Sequence, residues 1–175
     1  MARGKETIFL TELKHSFNEE GHFAIKIGDT PPSLGMRFTT QKEFDMIVCV
    51  NGSSTNGETR QGSYMAIEAK FLSSMRAFGP NQMRDHQCEN LDKVVDAGGE
   101  AFVFLNVRFK GDKEKNIKRT NRCYIFRWQN LKKYWEENKT IRGSALKDME
   151  YFEGKLKRFN LRAFTPYIEV WNGLN

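Results

Sequence analysis

The sequence predicts an α/β fold in which a mixed central β-sheet is flanked by helices. Apolar residues repeat with a helical period in some segments and alternate as in strands in others. Residues 101–109 are almost continuously apolar, which is typical of a central strand covered by helices on both faces. A chain of 175 residues with 39% hydrophobic content can bury one ordinary core, so a single domain over residues 1–175 is expected.

The N-terminal part is predicted to contain one helix and three strands. A helical period predicts a helix over residues 5–17. Alternation of apolar residues predicts a strand over 22–27, which a Pro-Pro pair then terminates. Two further strands are expected at 44–50 and around 65–71. The segment that joins them, 51–63, is rich in Gly, Ser, Thr and Asn and is therefore expected to be a polar loop.

The C-terminal part is predicted to contain two helices and two strands. An amphipathic helix is expected over 84–97, where two glycines stop it, and a buried strand over 101–109. The basic segment 110–122 is either a solvated hairpin tip or an arm that contacts phosphates. A strand over 123–128 and a short helix over 129–137 follow.

The two strands beside the polar loop carry the residues that most suggest chemistry. Asp45 lies on the first, and Glu68 and Lys70 lie on one face of the second, since strand side chains alternate. An antiparallel neighbour brings Asp45 beside Glu68. Carboxylate oxygens are the ligands that Mg²⁺ prefers, and an ammonium can orient a water or offset charge on a phosphorus atom. The alternative interpretation is a solvated strand edge, because the Glu-x-Lys pattern also occurs at Glu12, Glu137 and Glu153.

Composition narrows the class of protein. A net charge of +6 and a pI of about 9.2 indicate a polyanionic partner, although a basic surface also serves solubility. The cysteines Cys49, Cys88 and Cys123 have no CxxC spacing and are expected to be buried, reduced thiols. Without a signal peptide or a long apolar run, the protein is expected to be soluble and cytoplasmic, with no membrane partner.

Several segments, in order along the chain, resemble RecU-type Holliday junction resolvases. The stretch from IEAKF to RDHQ is similar to the FEAK…F…HxHQ segment of that family, with Gln87 falling 19 residues after Glu68. The segments LDKVVDAGGEAFVFLNVRF and CYIFRWQNLKKYW resemble the strands and helices that follow in the family. At the two ends, GKETIFLTEL, FAIKIGDTPP and FTPYIE are similar to its terminal segments.

The resemblance implies a fold and a function. The fold would be of the restriction-endonuclease-like type, and the activity would be a Mg²⁺-dependent DNA endonuclease that resolves four-way junctions by paired nicks, with Mn²⁺ as a substitute metal. The partners would be branched DNA and a second copy of the chain in a homodimer. Residues 102–109 and the aromatic residues Trp128, Tyr134 and Trp135 are more apolar than a monomer surface needs, so they are expected to serve that dimer. The source would be a bacterial cell or a phage-infected host.

The resemblance also assigns residues. Asp45, Glu68 and Lys70 would form the core of the site, with Gln87 and with Glu6 as a further carboxylate, although Glu12 on the same helix competes with Glu6. The alternatives for Gln87 and His86 are an ordinary surface amide and a structural histidine. The resemblance to the family also suggests DNA contacts for Lys26, Arg84 and His86. Lys115, Lys118 and Arg119 are expected to contact phosphates because the segment 110–122 is basic.

The chain departs from the family pattern at three places. Glu43 stands where the family has a Thr two residues before the Asp, so it is a spare carboxylate and a water-positioning hydroxyl is missing. Arg84 replaces the first His of HxHQ. Only 12 residues separate Pro32 from Asp45, so the stalk of the family is shortened. The 51–63 loop is expected to reach the junction centre in its place.

Overall fold

A computed structural model describes residues 2–28, 42–50, 63–111, 118–155 and 158–161. The helices in this part of the chain are α1 (Ala2–Glu19), α2 (Asp85–Asp96), α3 (Trp128–Asn138) and α4 (Gly143–Asp148), with a 3-10 turn at Pro80–Gln82. The strands are β1 (Phe23–Lys26), β2 (Met46–Val50), β3 (Ser63–Leu72), β4 (Glu100–Phe109), β5 (Thr120–Arg127), β6 (Phe152–Lys155) and β7 (Arg158–Phe159).

The strands form one mixed sheet in the order β1-β2-β3-β4-β5-β6-β7. β3 and β4 are parallel, and the other described neighbours are antiparallel. A parallel pair needs a crossover connection, and α2 lies in the one that joins β3 to β4. The predicted α/β fold with a mixed central sheet flanked by helices is confirmed.

The helices cover the sheet on both faces. On one face, α1 packs through Phe9, Leu13 and Phe17 against residues of β2, β3 and β4. On the other face, Leu91 of α2 and Leu131 of α3 belong to a second apolar cluster. The side chains of a strand alternate between these clusters, so Ala69 lies in the α1 layer while Glu68 and Lys70 point toward the layer of α2.

The central strand β4 is buried on both faces, as its apolar sequence predicts. Residues from Ala101 to Val107 are all buried, and Trp128 and Trp135 lie in the second cluster beside them. The expectation that this strand and these tryptophans serve a dimer interface is therefore wrong, because the chain's own helices already cover them. Tyr134 is half-buried and packs against the same cluster.

Some boundaries differ from the predicted ones. β5 begins at Thr120, inside the basic segment, because its pairing with β4 continues to Phe109 opposite Thr120. This antiparallel pairing makes β4 and β5 a β-hairpin, with Lys118 and Arg119 near its tip, and residues 112–117 lie outside the described residues. Trp128 begins α3 instead of ending the strand. α4, β6 and β7 were not predicted, since their sequences GSALKD, FEGK and RF contain no periodic run of apolar residues.

Part of the sheet face on the α2 side is left exposed. The register aligns Phe23 with Cys49 and Tyr64 across β1, β2 and β3, and Ile25 with Ile47 in the next row. Phe23, Ile25 and Tyr64 have exposed fractions of 61%, 45% and 65%, and Ile47 and Cys49 are half-buried. We name these five residues the open apolar face. It lies on the same side of the sheet as Glu68.

Cys49, Cys88 and Cys123 are free thiols as predicted, but Cys123 alone among them is fully buried and the other two are half-buried. Among the described residues, no helix combines the length and the apolar character that crossing a lipid bilayer requires.

Candidate active site

Asp45 and Glu68 lie side by side at the centre of the candidate site. Asp45 immediately precedes β2, where its backbone N–H donates to the carbonyl of Ile67 (3.1 Å) and its carbonyl accepts from Ile27 (2.9 Å). These bonds extend the β1–β2–β3 register by one row, so that Asp45 stands opposite Glu68. Both side chains are fully buried, with exposed fractions of 0%. Burying two carboxylates side by side costs free energy, so this pair points to a functional site.

The two oxygens of Asp45 have different partners. Oδ2 accepts a hydrogen bond from the backbone N–H of Ala69 (2.8 Å). Oδ1 forms an ion pair with the ammonium of Lys42, and no hydrogen bond from the described residues reaches it. Lys42 was not predicted as a site residue. The sequence holds no signal for it beyond its position three residues before Asp45, in a polar stretch without periodicity.

The two oxygens of Glu68 also differ. Oε1 accepts from the side-chain amide of Gln87 and forms an ion pair with Lys70 Nζ at 2.9 Å. Oε2 is buried and has no hydrogen-bond partner among the described residues. A buried carboxylate oxygen without a donor is poorly accommodated unless a cation or an ordered water binds it.

Gln87 connects the carboxylate and the ammonium. Its amide oxygen accepts from Lys70 Nζ (2.8 Å) and from the backbone N–H of Arg84 (3.0 Å) at the start of α2. Its amide nitrogen donates to Glu68. This orientation of the amide is the one that gives each group a matching partner. Gln87 is buried, so the alternative of an ordinary surface amide does not hold.

Glu6 and Glu12 of α1 have separate environments. Burial raises the pKa of the Glu6 carboxyl, and the negative charge of Asp45 raises it further, while Lys70, Lys42 and Arg84 act in the opposite direction. Glu6 therefore lies within the electrostatic field of the site. Glu12 is buried in a two-pronged ion pair with Arg108 of β4, which occupies both of its oxygens. Of the two candidate carboxylates, the geometry favours Glu6.

The pKa of Glu68 is raised from 4.5 to about 7. Burial is the main cause, and the negative charge of Asp45 adds to it. Lys70 lowers the pKa through its charge and its hydrogen bond, and Lys42 lowers it through its charge. Near neutral pH the Glu68 carboxyl is thus close to half-protonated when these two lysines are its compensating cations. A cation of higher charge would favour the ionised form.

The donor set fits a hard divalent cation. Glu68 Oε2 accepts no hydrogen bond from the described residues, and Asp45 Oδ1 contacts the ammonium of Lys42 but accepts no hydrogen bond from them. Among the described residues, no group of three or more His, Cys, Asp or Glu side chains is arranged to hold a metal ion. Mg²⁺ commonly binds through one or two carboxylates and keeps several waters, so a pair of carboxylates is sufficient for it.

The residues predicted to contact DNA fall into two groups. Arg84 is exposed at the start of α2, His86 is half-buried on α2, and Lys26 is half-buried at the end of β1, opposite Met46. Arg84 and His86 lie within three residues of Gln87 in the sequence, and Lys26 pairs with Met46, the residue after Asp45. Lys118 and Arg119 are exposed at the hairpin tip, and Lys115 lies outside the described residues. Glu68 pairs with Val103 of β4, and β4 ends at Phe109 beside the hairpin tip. The six residues from Val103 to Phe109 span about 20 Å along the strand.

Comparisons with known proteins identify the family. The family model described as "Recombination protein U" (RecU) matches residues 56–172, which is most of the chain. The chain belongs to the RecU family. It is thus a nuclease of the type that resolves Holliday junctions. The RecU match includes Glu68, Lys70 and Gln87, whereas Asp45 and Glu6 lie before it and are placed in the site by the geometry alone.

Two other comparisons add little to the RecU match. No curated protein matches the chain. A solved structure of Hjc from Archaeoglobus fulgidus, described as a Holliday junction resolvase from an archaeal hyperthermophile, is similar to it at 20% sequence identity. The alignment covers 84% of this chain and 94% of that chain, with a TM-score of 0.47.

Proposed function

We propose that this RecU-family chain is a Mg²⁺-dependent endonuclease that resolves four-way DNA junctions by two paired nicks. The observation that carries the proposal is the buried pair of Asp45 and Glu68, with Lys70 and Gln87 hydrogen-bonded on the same face of the sheet. The whole chain would act as one nuclease domain, since the described strands from Phe23 to Phe159 form a single sheet. It would work in the cytoplasm of a bacterial cell or a phage-infected host.

Asp45 and Glu68 would hold the metal. Glu6, which the described geometry does not group with them as a third ligand, would add negative charge nearby. When bound, Mg²⁺ or Mn²⁺ would supply Lewis acidity toward a phosphodiester oxygen and a water of lowered pKa. Burial and the charge of Asp45 raise the pKa of Glu68, and a bound divalent cation would lower it, so Glu68 would be ionised once the cation is present.

Lys70 and Gln87 would act on the reacting groups. The ammonium of Lys70 is held by Glu68 and by Gln87, which leaves its third proton free to orient the attacking water or to offset charge on the phosphorus. Gln87 would be a positioning residue, since it contacts both Lys70 and Glu68 from the first turn of α2. Its side chain is fixed by the backbone N–H of Arg84.

Recognition would rely on shape and on the phosphate backbone. The described part of the chain has no helix-turn-helix reading head, and the net charge of +6 suits a polyanion. Arg84, His86 and Lys26 would contact the strand that is cut. Lys118 and Arg119, with Lys115, would contact phosphates about 20 Å away along the β4–β5 hairpin.

The second copy of the chain would bind at the open apolar face. Paired nicks in a nearly two-fold DNA object need two equivalent sites, which a two-fold dimer provides. The open apolar face contains no charged residue, whereas a surface that contacts DNA is expected to present Lys and Arg. Since it lies on the same side of the sheet as Glu68, pairing through it would bring the two candidate sites toward one another.

Cleavage assays with defined DNA test this proposal. Purified protein would be incubated with a four-way junction, a flap and a linear duplex at equal concentrations, with Mg²⁺ or with a chelator. We expect symmetric nicks in the junction that depend on Mg²⁺, and little cut duplex. Equal cleavage of all three DNAs would favour another nuclease of this fold, and binding without any cleavage would favour a non-catalytic module.

A further inference from the structure

Lys42 is the one residue at the carboxylate pair that neither the sequence pattern nor the proposed mechanism uses. It lies four residues before β2, and its ammonium forms an ion pair with Asp45 Oδ1. The Asp45 side chain is 1% exposed, but that of Lys42 is 28% exposed. The cation therefore reaches a buried anion from the solvent side, on a long and flexible stem.

The oxygen that Lys42 contacts is the one that a metal would need. Asp45 Oδ2 is committed to the backbone N–H of Ala69 (2.8 Å), and Glu68 Oε1 is committed to Gln87 and Lys70. Asp45 Oδ1 and Glu68 Oε2 accept no hydrogen bond from the described residues, so these oxygens would be best placed to hold a divalent cation. A divalent ion and an ammonium on the same carboxylate oxygen repel one another at short range.

We infer that Lys42 and the divalent cation exclude one another at Asp45 Oδ1. Lys42 compensates the buried carboxylate while no metal is bound, and it withdraws toward solvent when the metal arrives. This inference rests on the proposed metal-dependent function. It makes Lys42 a positioning residue that sets the metal affinity of the site, and it distinguishes Lys42 from Lys70, which is held by Glu68 and Gln87 and stays in place.

The surrounding charges support the exchange. Lys42 lowers the pKa of both Glu6 and Glu68 in addition to pairing with Asp45, so its positive charge acts on all three carboxylates. When Lys42 leaves, Asp45, Glu6 and Glu68 all lose the positive charge that offsets their negative charges. A divalent ion at the same position replaces that single charge with two. The side chain of Lys42 then becomes available at the mouth of the site, where a DNA phosphate would be its natural partner.

The test measures metal binding without DNA. Wild type, Lys42→Met, Lys42→Arg and the control Lys133→Met, on the exposed side of α3, would be titrated with Mn²⁺ by calorimetry at pH 7.5. We expect Lys42→Met to bind Mn²⁺ about tenfold more tightly, the scale of one close charge contact. Lys42→Arg should restore an affinity near wild type because it keeps the competing charge, and Lys133→Met should not differ from wild type.

A second measurement follows thermal unfolding in chelator and in excess Mn²⁺. Without metal, Lys42→Met should have a lower Tm than wild type, because Asp45 loses its compensating charge. Its gain in Tm on adding Mn²⁺ should exceed that of wild type. If Lys42→Met does not fold in chelator, Lys42→Gln, which keeps a hydrogen-bond donor, takes its place in both measurements.

The outcomes separate this inference from the proposed function. If wild type binds Mn²⁺ and Lys42→Met binds it equally well or more weakly, the exclusion is overturned while the metal site stands. If neither protein binds Mn²⁺, with or without junction DNA, the metal site of the proposed function fails as well, and Lys42 is a permanent partner of Asp45.

Discussion

At the scale of single residues, the burial of Asp45 and Glu68 side by side costs free energy that stability alone would not justify. Two carboxylates without exposure to water repel one another, and apolar residues of similar volume would serve the core at least as well. The raised pKa of Glu68 is a direct sign of this cost. A site of this kind is retained for what it binds.

Replacing either carboxylate should separate cleavage from binding. In Asp45→Asn and Glu68→Gln we expect nicking of a junction to fall at least about a hundredfold, the scale of losing one charge contact to a reacting group. Junction affinity should remain or improve, because a negative charge near the phosphates is removed. Gel shift and nicking assays on the same preparation measure both quantities.

Glu43 provides the matched control for this experiment. It lies two residues before Asp45, its side chain is exposed, and its described hydrogen bond, from Asn90 Nδ2 (3.3 Å), is made by its backbone carbonyl. Glu43→Gln should therefore cleave at nearly the wild-type rate. Near-normal nicking by Asp45→Asn or Glu68→Gln would remove that residue from the site, and a loss in Glu43→Gln would bring a third carboxylate into it.

The stability of the metal-free protein should fall as the pH rises. In the unfolded chain Glu68 loses its proton near pH 4.5, but in the folded protein it keeps the proton up to about pH 7. The folded state thus binds more protons between these values, and the Glu68 contribution, about 3 kcal/mol, is present at pH 4.5 and lost by about pH 7.

Urea unfolding in chelator at pH 5 and pH 8 measures this loss. Glu68→Gln cannot ionise at this position, so its stability should change less between the two pH values, and at pH 8 it should exceed that of wild type. Equal pH dependence in both proteins would mean that Glu68 titrates normally in the fold.

Individual site residues differ in how far the sequence could predict them. Asp45, Glu68 and Lys70 follow from strand alternation, which is local. Gln87 reaches Glu68 only through the crossover between β3 and β4, and without the family pattern it would pass for a surface amide. Lys42 precedes a strand in a stretch without periodicity, so its contact with Asp45 depends on backbone geometry that no pattern encodes.

At the scale of secondary-structure elements, the β4–β5 hairpin extends the basic surface away from the site. Neutralising Lys118 and Arg119 together with Lys115, each to Gln, should weaken binding to junction and duplex alike. The slope of log affinity against log salt concentration should become shallower by up to about one unit for each lost phosphate contact. Fluorescence anisotropy at a series of salt concentrations measures both effects.

The control for the hairpin variant is the triple change Lys132→Gln, Lys133→Gln and Lys147→Gln. These lysines are exposed on α3 and α4, and the change removes the same amount of charge elsewhere. An equal effect of both triple changes would indicate that net charge alone matters. Lost preference for the junction in the hairpin variant would show that the tip reads DNA shape.

Elements whose apolar residues follow a clear period were predicted, whereas α4, β6 and β7, which show none, were not. α2 and β4 were placed to within a residue at each end, because their apolar residues recur several times. The predicted start of β5 is too late in the sequence, because polar residues such as Asn121 and Arg122 are typical of a loop. In the structure, Asn121 bonds to Asn106, Arg108 and the carbonyl of Gly154, and this polar network keeps the strand in register.

At the scale of the whole molecule, the proposed dimer would form through the open apolar face. The protein should sediment near twice 20.4 kDa at micromolar concentration. The double change Phe23→Glu and Ile25→Glu should give monomers, because two charges would be buried against a second copy. These monomers should still bind junction DNA but should cut its two strands independently of one another.

Ile8→Glu is the control for the dimer experiment. Ile8 is also an exposed apolar residue, at 52%, but it lies on α1 outside the open apolar face. Its replacement should leave the sedimentation of the dimer unchanged. A wild-type protein that sediments as a monomer, both free and on a junction, would falsify the paired-nick mechanism.

The parallel pairing of β3 with β4 also has a consequence for the time course of folding. Asp45 and Glu68 meet through an antiparallel pairing, but Gln87 reaches them only after residues 73–99 have closed the crossover. Closing a long connection is slow compared with forming a local hairpin. We therefore expect β2 and β3 to pair early, while their carboxylates are still hydrated, and α2 to dock late and expel that water. Pulsed hydrogen exchange during refolding should protect the amide of Ala69 well before that of Leu91.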